Sequence, residues 1–261
     1  MDIIALANFK GGVGKTTLTI TLAAALAGMD YKVGIADTDP QGNIAKWFGM
    51  AEEPGIYNLL IKEQAAVDLL RLVPRVQWWP DETEGLLAIL PGNARTTTAG
   101  VAMALDHTPI TKLREALAPL AAGLDFVILD TAPTVTELLA NVYMAANYII
   151  IPTETQLLSV NGALKTLATI AEIDERRLLG IVPTKHSAKQ TECITNLETL
   201  VELHPGLIWQ PIMDRTIWKQ LPAYSRSIFA HAPRRSKAAQ EAALFAGQFM
   251  RAWQVRSAAH A

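Results

Sequence analysis

The sequence predicts a doubly wound α/β fold, a mostly parallel sheet with helices on both faces. Three observations predict it. Short runs rich in β-branched residues carry apolar side chains at consecutive positions, so both faces of each strand are to be buried, as in a parallel sheet covered by helices. Longer amphipathic stretches alternate with these runs in a βαβα order. A glycine-rich loop closes the first run and opens the first helix.

Strands are expected at residues 3–7, 32–37, 86–90, 126–130, 148–152 and 178–182, with a weaker one at 207–209. Each is an apolar run bounded by charged or turn-forming residues. Helices are expected at 17–29, 136–145, 159–175, 189–203 and 234–256, where apolar residues recur at helical spacing. Residues 51–84 are expected to hold two short helices, then a turn at Trp78-Trp79-Pro80 and an acidic loop, Asp81-Glu82-Thr83-Glu84. No internal repeat, low-complexity segment or Pro/Gly/Ser linker interrupts the chain, so residues 1–261 are expected to form a single domain.

Composition narrows the function. The chain has 261 residues, half of them hydrophobic and 18% charged, which excludes a disordered chain. A chain of this size hides roughly 70–75% of its unfolded surface. Cys193 is the single cysteine, so a disulfide scaffold is excluded and a thiolate-held metal site is not expected. No run reaches the ~18 consecutive apolar residues of a membrane span. The opening Met1-Asp2-Ile3-Ile4-Ala5-Leu6-Ala7 lacks a basic segment and reads as a buried strand, so a cytoplasmic protein is expected. The net charge of −2 hides an asymmetry: residues 214–256 hold 8 basic and 2 acidic residues (8 − 2 = +6), and the remainder 15 and 23 (15 − 23 = −8).

The strongest motif is Lys10-Gly11-Gly12-Val13-Gly14-Lys15-Thr16-Thr17. Glycines let backbone N–H groups turn toward an anion without Cβ obstruction, and the helix N-terminus adds its dipole. Lys15 is then placed for the β/γ-phosphates of a nucleotide and the Thr16 hydroxyl for Mg²⁺. The usual phosphate-loop spacing needs glycine at position 9, where Phe9 stands. A second lysine, Lys10, precedes the glycines instead, which is the deviant Walker A pattern. The plainer alternative is a flexible glycine-rich turn.

Acids end two of the expected strands, and open parallel sheets bind ligands at the carboxyl ends of their strands. The second strand runs into Asp37-Thr38-Asp39-Pro40-Gln41-Gly42-Asn43. The fourth, Phe126-Val127-Ile128-Leu129-Asp130, has the form of a Walker B strand, with Asp130 set to hold Mg²⁺ directly or through water. The alternative for all three acids is that they cap the helices that follow. His107, His186, His204, His231 and His260 are scattered and read as surface or structural residues. No serine stands in a G-x-S-x-G context, so acyl transfer has no support.

These motifs resemble those of the ParA/MinD superfamily of P-loop ATPases. Lys10 is similar to the family's signature lysine, and the resemblance implies that it crosses an ATP-bound homodimer to the partner's phosphates. Residues 37–43 resemble the D-x-D-P-Q-G-N motif of ParA proteins, which implies that Asp39 orients or activates the attacking water and that Asp37 lies near Mg²⁺. Thr131-Ala132-Pro133 resembles switch II, with Ala132 where the family usually has a second proline. Ile151-Pro152-Thr153-Glu154, with Ser159 to Gly162 beyond, resembles the family's strand-end proline and following helix. Gly180-Ile181-Val182-Pro183-Thr184 resembles the strand whose end approaches adenine, and Ile212-Met213-Asp214-Arg215 falls at the adenine-side loop, with Met213 for proline and Asp214 for arginine. By resemblance Gly11, Gly12, Val13, Gly14, Lys15, Thr16 and Thr17 bind ATP, with Thr184 and Asp214 as candidate base contacts. The alternative for those two is ordinary loop structure.

The first strand starts at Asp2, so no N-terminal helix-turn-helix is expected and the chain is similar to small Soj-like ParA proteins. The resemblance implies non-specific DNA binding by the ATP-bound homodimer, a nucleoid-associated location, and a ParB-like or cargo-adaptor protein that stimulates hydrolysis. Phosphate neutralisation asks for several Lys and Arg on one face. Arg215, Lys219, Arg226, Arg234, Arg235 and Lys237 are the candidates, a solvated basic surface being the alternative. MinD-like relatives bind membrane through a C-terminal helix. Here Leu244, Phe245, Phe249, Met250 and Trp253 form a stripe suited to packing on the domain, so membrane is the less expected partner. A metabolic P-loop ligase similar to dethiobiotin synthetase is the remaining alternative.

Overall fold

The computed structural model describes residues 1–134 and 136–258, apart from the side chains of residues 157–161 and 176. Its strands are β1 (Asp2–Leu6), β2 (Lys32–Asp37), β3 (Arg71–Leu72), β4 (Leu86–Leu90), β5 (Phe126–Asp130), β6 (Tyr148–Glu154) and β7 (Leu178–Thr184). They form one sheet in the order β3-β4-β2-β5-β1-β6-β7. Every pairing is parallel except β3 with β4. This is the predicted doubly wound α/β fold.

Helices alternate with the strands. The first half holds α1 (Lys15–Ala27), α2 (Asn43–Trp47), α3 (Ile56–Ile61), α4 (Ala66–Leu69), α5 (Arg75–Trp78), α6 (Arg95–Leu105) and α7 (Lys112–Leu117). The second holds α8 (Glu137–Ala145), α9 (Leu157–Asp174), α10 (Thr191–Leu203), α11 (Thr216–Tyr224), α12 (Ile228–His231) and α13 (Lys237–Ala258).

Side chains alternate across the central strands and divide the core in two. Ile4, Leu6, Val33, Ile35, Phe126 and Ile128 face one layer, with α1, α12 and α13. Ile3, Ala5, Val127 and Leu129 face the other, with α3 and α6 to α9. α1 is apolar nearly all round, Leu18 to Ala27 being buried throughout, because the sheet covers one side and α13 the other.

The structure corrects several expected bounds. β1 ends at Leu6, and β6 and β7 run two residues further, to Glu154 and Thr184. Residues 207–209 form no strand. Their backbone pairs with β7 at the bridge Ile181–Ile208, the Trp209 ring lies over Gly180, and a second bridge joins His186 to Met213. Pro211 lies between the two and has no N–H with which to continue a ladder. The segment 51–84 holds three short helices rather than two, since Trp78 ends a helix, and it adds the antiparallel edge strand β3. His260 and the side chain of Ser159 lie outside the described residues.

Candidate functional site

β1, β2 and β5 lie side by side, so their carboxyl ends open on one cleft. Leu6 and Asp37 both pair in register with Asp130. The loop that leaves β1 turns into α1 through Gly12 and Gly14, at φ 78° and 90°, the left-handed region that glycine tolerates. Gly14 is the N-cap of α1 and supplies no side-chain acceptor, so no side chain closes off the first-turn amides. The loop, the Asp39–Asn43 segment and Thr131 to Thr134 line a cavity of about 690 Å³.

Lys15 is 6% exposed. Its Nζ donates to the carbonyls of Asn8 at 3.1 Å and Lys10 at 3.0 Å. Burial lowers its pKa, and the charges of Asp130 and Asp39 oppose that shift. Thr16 Oγ1 donates to Asp130 Oδ2 at 2.6 Å, which places the hydroxyl and carboxylate predicted for Mg²⁺ side by side. Burial pushes the Asp130 carboxyl up to about 6, although Thr16 and Lys15 pull it back. Such a pair suits a hard cation, which Mg²⁺ sites hold through one or two protein groups plus substrate phosphates. Among the described residues no group of three or more His, Cys, Asp or Glu could hold a metal.

The two acids of the β2 loop differ. Asp37 is fully buried, and its carboxylate accepts from the N–H groups of Asp39 at 3.0 Å and Ile44 at 3.1 Å. It thus ties the loop to the start of α2, which is the helix-capping alternative. Burial and then Asp130 raise its pKa well above the carboxylate range. Asp39 is half-buried, lines the cavity, and accepts from Gln41 N–H at 2.9 Å. Its carboxylate therefore faces the space in front of the phosphate loop.

Gly12, Gly14 and Thr17 also line a second, smaller cavity of about 230 Å³. Trp47, Met213 and Trp218 give it apolar walls, with Thr184, Asp214 and Lys219 at its polar positions. Thr184 Oγ1 donates to the Val13 carbonyl at 2.8 Å, so its hydroxyl supports the loop from beneath. Asp214 pairs with Lys219 at 3.1 Å. Trp47, Trp218 and Lys185 join the predicted set here. The sequence signal for Trp47 is an aromatic residue one turn after Asn43; Trp218 and Lys185 carry no local signal.

The basic candidates separate. Arg215 donates to Glu241 through Nε at 3.1 Å and Nη2 at 2.5 Å, which fastens it to α13. Lys219 belongs to the smaller cavity. Arg234 pairs with Asp81. Arg226, Arg235 and Lys237 are exposed.

The family described as AAA domain (AAA_31) matches residues 1–181. The chain is 34% identical over 242 residues to the chromosome-partitioning ATPase Soj of Thermus thermophilus, covering 88% of each. Its fold is similar to that of Cyanothece McdA in the apo state, with a TM-score of 0.80, 21% identity, and 95% and 99% of the two chains covered. It is also similar to cobyrinic acid a,c-diamide synthase of Mycobacterium smegmatis with a bound ATP analogue and magnesium, with a TM-score of 0.78, 27% identity, and 97% and 95% covered.

Proposed function

The chain belongs to the ParA/MinD superfamily of P-loop ATPases, and from that premise we propose that it is a partition or positioning ATPase whose nucleotide cycle controls dimerisation and DNA binding. One observation carries the reading. Lys15, Thr16 and Asp39 line the cavity in front of the loop, and Asp130 lies buried behind Thr16 and accepts its hydroxyl, so a cation, a metal-side pair and a water-orienting carboxylate stand together as hydrolysis of a γ-phosphate requires.

In this reading Gly11 to Thr17 wrap the phosphates with backbone N–H groups, and Lys15 leaves its two carbonyl partners to reach them. Thr16 and Asp130 hold Mg²⁺, with Asp37 shaping the loop beside them. Bound Mg²⁺ neutralises charge on the phosphates. Asp39 orients the attacking water. The base lies in the smaller cavity between Trp47 and Trp218, with Asp214 at its edge. Lys10 reaches the partner's nucleotide in a homodimer, so hydrolysis is complete only in the assembled state. The ATP-bound dimer holds non-specific DNA through its basic C-terminal segment, which gives it a nucleoid-associated, cytoplasmic location. A ParB-like or cargo-adaptor protein stimulates turnover and releases the DNA.

Two substitutions test the core of this. Asp39→Ala is expected to leave ATP binding intact and to lower turnover by about 100-fold or more. Lys15→Ala is expected to lose nucleotide binding itself, seen with a fluorescent ATP analogue. Full turnover in Asp39→Ala would remove that residue from the mechanism.

A second reading, an ATP-dependent synthase, has one observation behind it, the 27% identity to cobyrinic acid a,c-diamide synthase. It requires that turnover depend on an organic co-substrate and ignore DNA. Turnover by the purified chain that DNA and a partner accelerate, without any co-substrate, excludes it. The membrane-cycling reading has less to work with. Phe245 and Phe249 of α13 are spent on the core.

A further inference from the structure

Lys10 is to act at a distance, so its main chain must be held where the glycine-rich loop begins. Both of its backbone polar groups are engaged. Its carbonyl accepts from Lys15 Nζ at 3.0 Å, and its N–H donates to Asn8 Oδ1 at 2.9 Å. The two hydrogen bonds are not equivalent. In the proposed cycle Lys15 turns toward phosphate and gives up the Lys10 carbonyl, whereas the bond from the Lys10 N–H to Asn8 involves no group assigned to the nucleotide.

Asn8 is built to keep its place. It is 2% exposed, and its Nδ2 donates to the Pro152 carbonyl in β6 at 2.7 Å. This second bond fixes which side-chain atom faces Lys10, since only the oxygen can accept from an N–H. α9 closes over the same point. A Cβ on Gly162 would stand 2.8 Å from Asn8 Oδ1 and 3.2 Å from Lys10 Cβ, so only glycine lets the helix approach this closely. One turn on, Thr166 Oγ1 accepts from the Phe9 N–H at 3.4 Å and donates to the Gly162 carbonyl at 3.0 Å. Residues 8, 9 and 10 are thus clamped between the end of β6 and the first turns of α9.

We propose that Asn8 is a positioning residue for Lys10: it anchors the Lys10 main chain to β6 after Lys15 has left for the nucleotide, with Gly162 keeping α9 clear of that bond. The proposal rests on the reading of Lys10 as the cation supplied to the partner's phosphates. It makes Asn8 matter for the partner's turnover and not for its own subunit's ATP affinity, which depends on Lys15 and the loop amides.

The test is a double-mutant cycle on the full chain, comparing wild type, Asn8→Ala, Lys10→Ala and the double variant. ATP affinity is read with a fluorescent analogue and turnover by phosphate release with Mg²⁺. Asn8→Ala is expected to keep the affinity within about two-fold and to lower turnover about 10- to 100-fold, the scale of a misplaced reacting group. The double variant is expected to turn over no more slowly than Lys10→Ala alone. If Asn8→Ala lowers turnover by the same factor in both backgrounds, or weakens ATP binding in proportion, Asn8 serves general loop structure and the proposal is wrong. If Asn8→Ala turns over normally while Lys10→Ala does not, the proposal fails and the reading of Lys10 stands. If Lys10→Ala itself turns over normally, both fail. Gly162→Ala repeats the cycle without opening a buried void, in case Asn8→Ala does not fold. It adds a helix-favouring methyl against Asn8 Oδ1, and its effect on turnover is also expected to disappear in the Lys10→Ala background.

Discussion

A carboxyl group as buried as Asp130 is costly to charge, and its neighbour across the sheet, Asp37, is buried with it. Its pKa stands at about 6, above the ordinary value of 3.8. Between those two pH values the folded chain holds a proton that the unfolded chain has released. Stability from this group is therefore fully present below the unfolded value and is lost as pH rises through the folded one. Asp37 shifts in the same direction for the same reason. Without nucleotide, Asp130 and Asp37 make the protein less stable at about pH 7.5 than at about pH 5, which a comparison of melting temperatures reads. Asp130→Asn removes the ionisation and is expected to raise the melting temperature at about pH 7.5, by about 2–4 °C for each ~1 kcal/mol recovered, with a smaller rise at about pH 4.5. It should also remove the dependence of ATP binding on Mg²⁺. A melting temperature of Asp130→Asn below that of the wild type at about pH 7.5 would show that the hydrogen bond from Thr16 outweighs the cost of the buried charge.

At the scale of elements, α13 shows how one helix serves two readings until its packing is known. Phe249 is fully buried and meets Phe126 edge-on, with ring centroids 6.1 Å apart. Trp253 packs on the same ring at 5.1 Å and donates from Nε1 to Asp2 Oδ2 at 2.7 Å. Phe245, Phe249, Met250 and Trp253 form a wall of the core, whereas Leu244, expected in the same stripe, is exposed on the far side of the helix. Phe249→Ala is expected to destabilise the fold by about 3–5 kcal/mol in urea denaturation, and a loss below about 1 kcal/mol would mean that α13 is only loosely docked. The stripe was legible because Phe245, Phe249 and Trp253 recur at helical spacing. β2, β4 and β5 were legible to the residue, since apolar runs buried on both faces end abruptly at Asp37, Leu90 and Asp130. Other elements left no such trace. β3 is two residues long at an edge. α6 opens on Ala94, which supplies no side-chain cap, and α11 carries Pro222 within its last turn, where proline reads as a loop. At the site, the loop and both strand-end acids were legible because their chemistry is local in sequence. The clamp around Asn8 was not, because it becomes visible only when β6 and α9 are brought to it.

For the whole molecule, the segment 214–256 has an excess of 6 positive charges over a body that is acidic by 8. The fold redistributes that excess. Both acids of the segment are taken by bases of the same segment, Arg215 with Glu241 and Lys219 with Asp214, and the body's Asp81 takes Arg234. Arg215 is tied by three hydrogen bonds into α13, so its removal should act on stability before it acts on a ligand. Arg235 and Lys237 differ, being exposed where Ser236 caps the start of α13 by accepting from the Ala239 N–H at 3.2 Å. A capped helix start flanked by two cations favours a phosphate backbone. If this face holds DNA, each cation withdrawn from a phosphate takes roughly 0.9 from the slope of log affinity against log salt. The double substitution Arg235→Glu with Lys237→Glu is then expected to flatten that slope by about 1.8 for one subunit's pair of cations, and by about twice that if both subunits of a dimer engage. Arg215→Ala is expected to leave the slope as it is while lowering the melting temperature. Measuring both variants with ATP and a random-sequence duplex separates charge that reaches DNA from charge that the fold has already used. A slope unmoved by the double substitution would leave the basic segment as a solvated surface, and DNA binding would need another face.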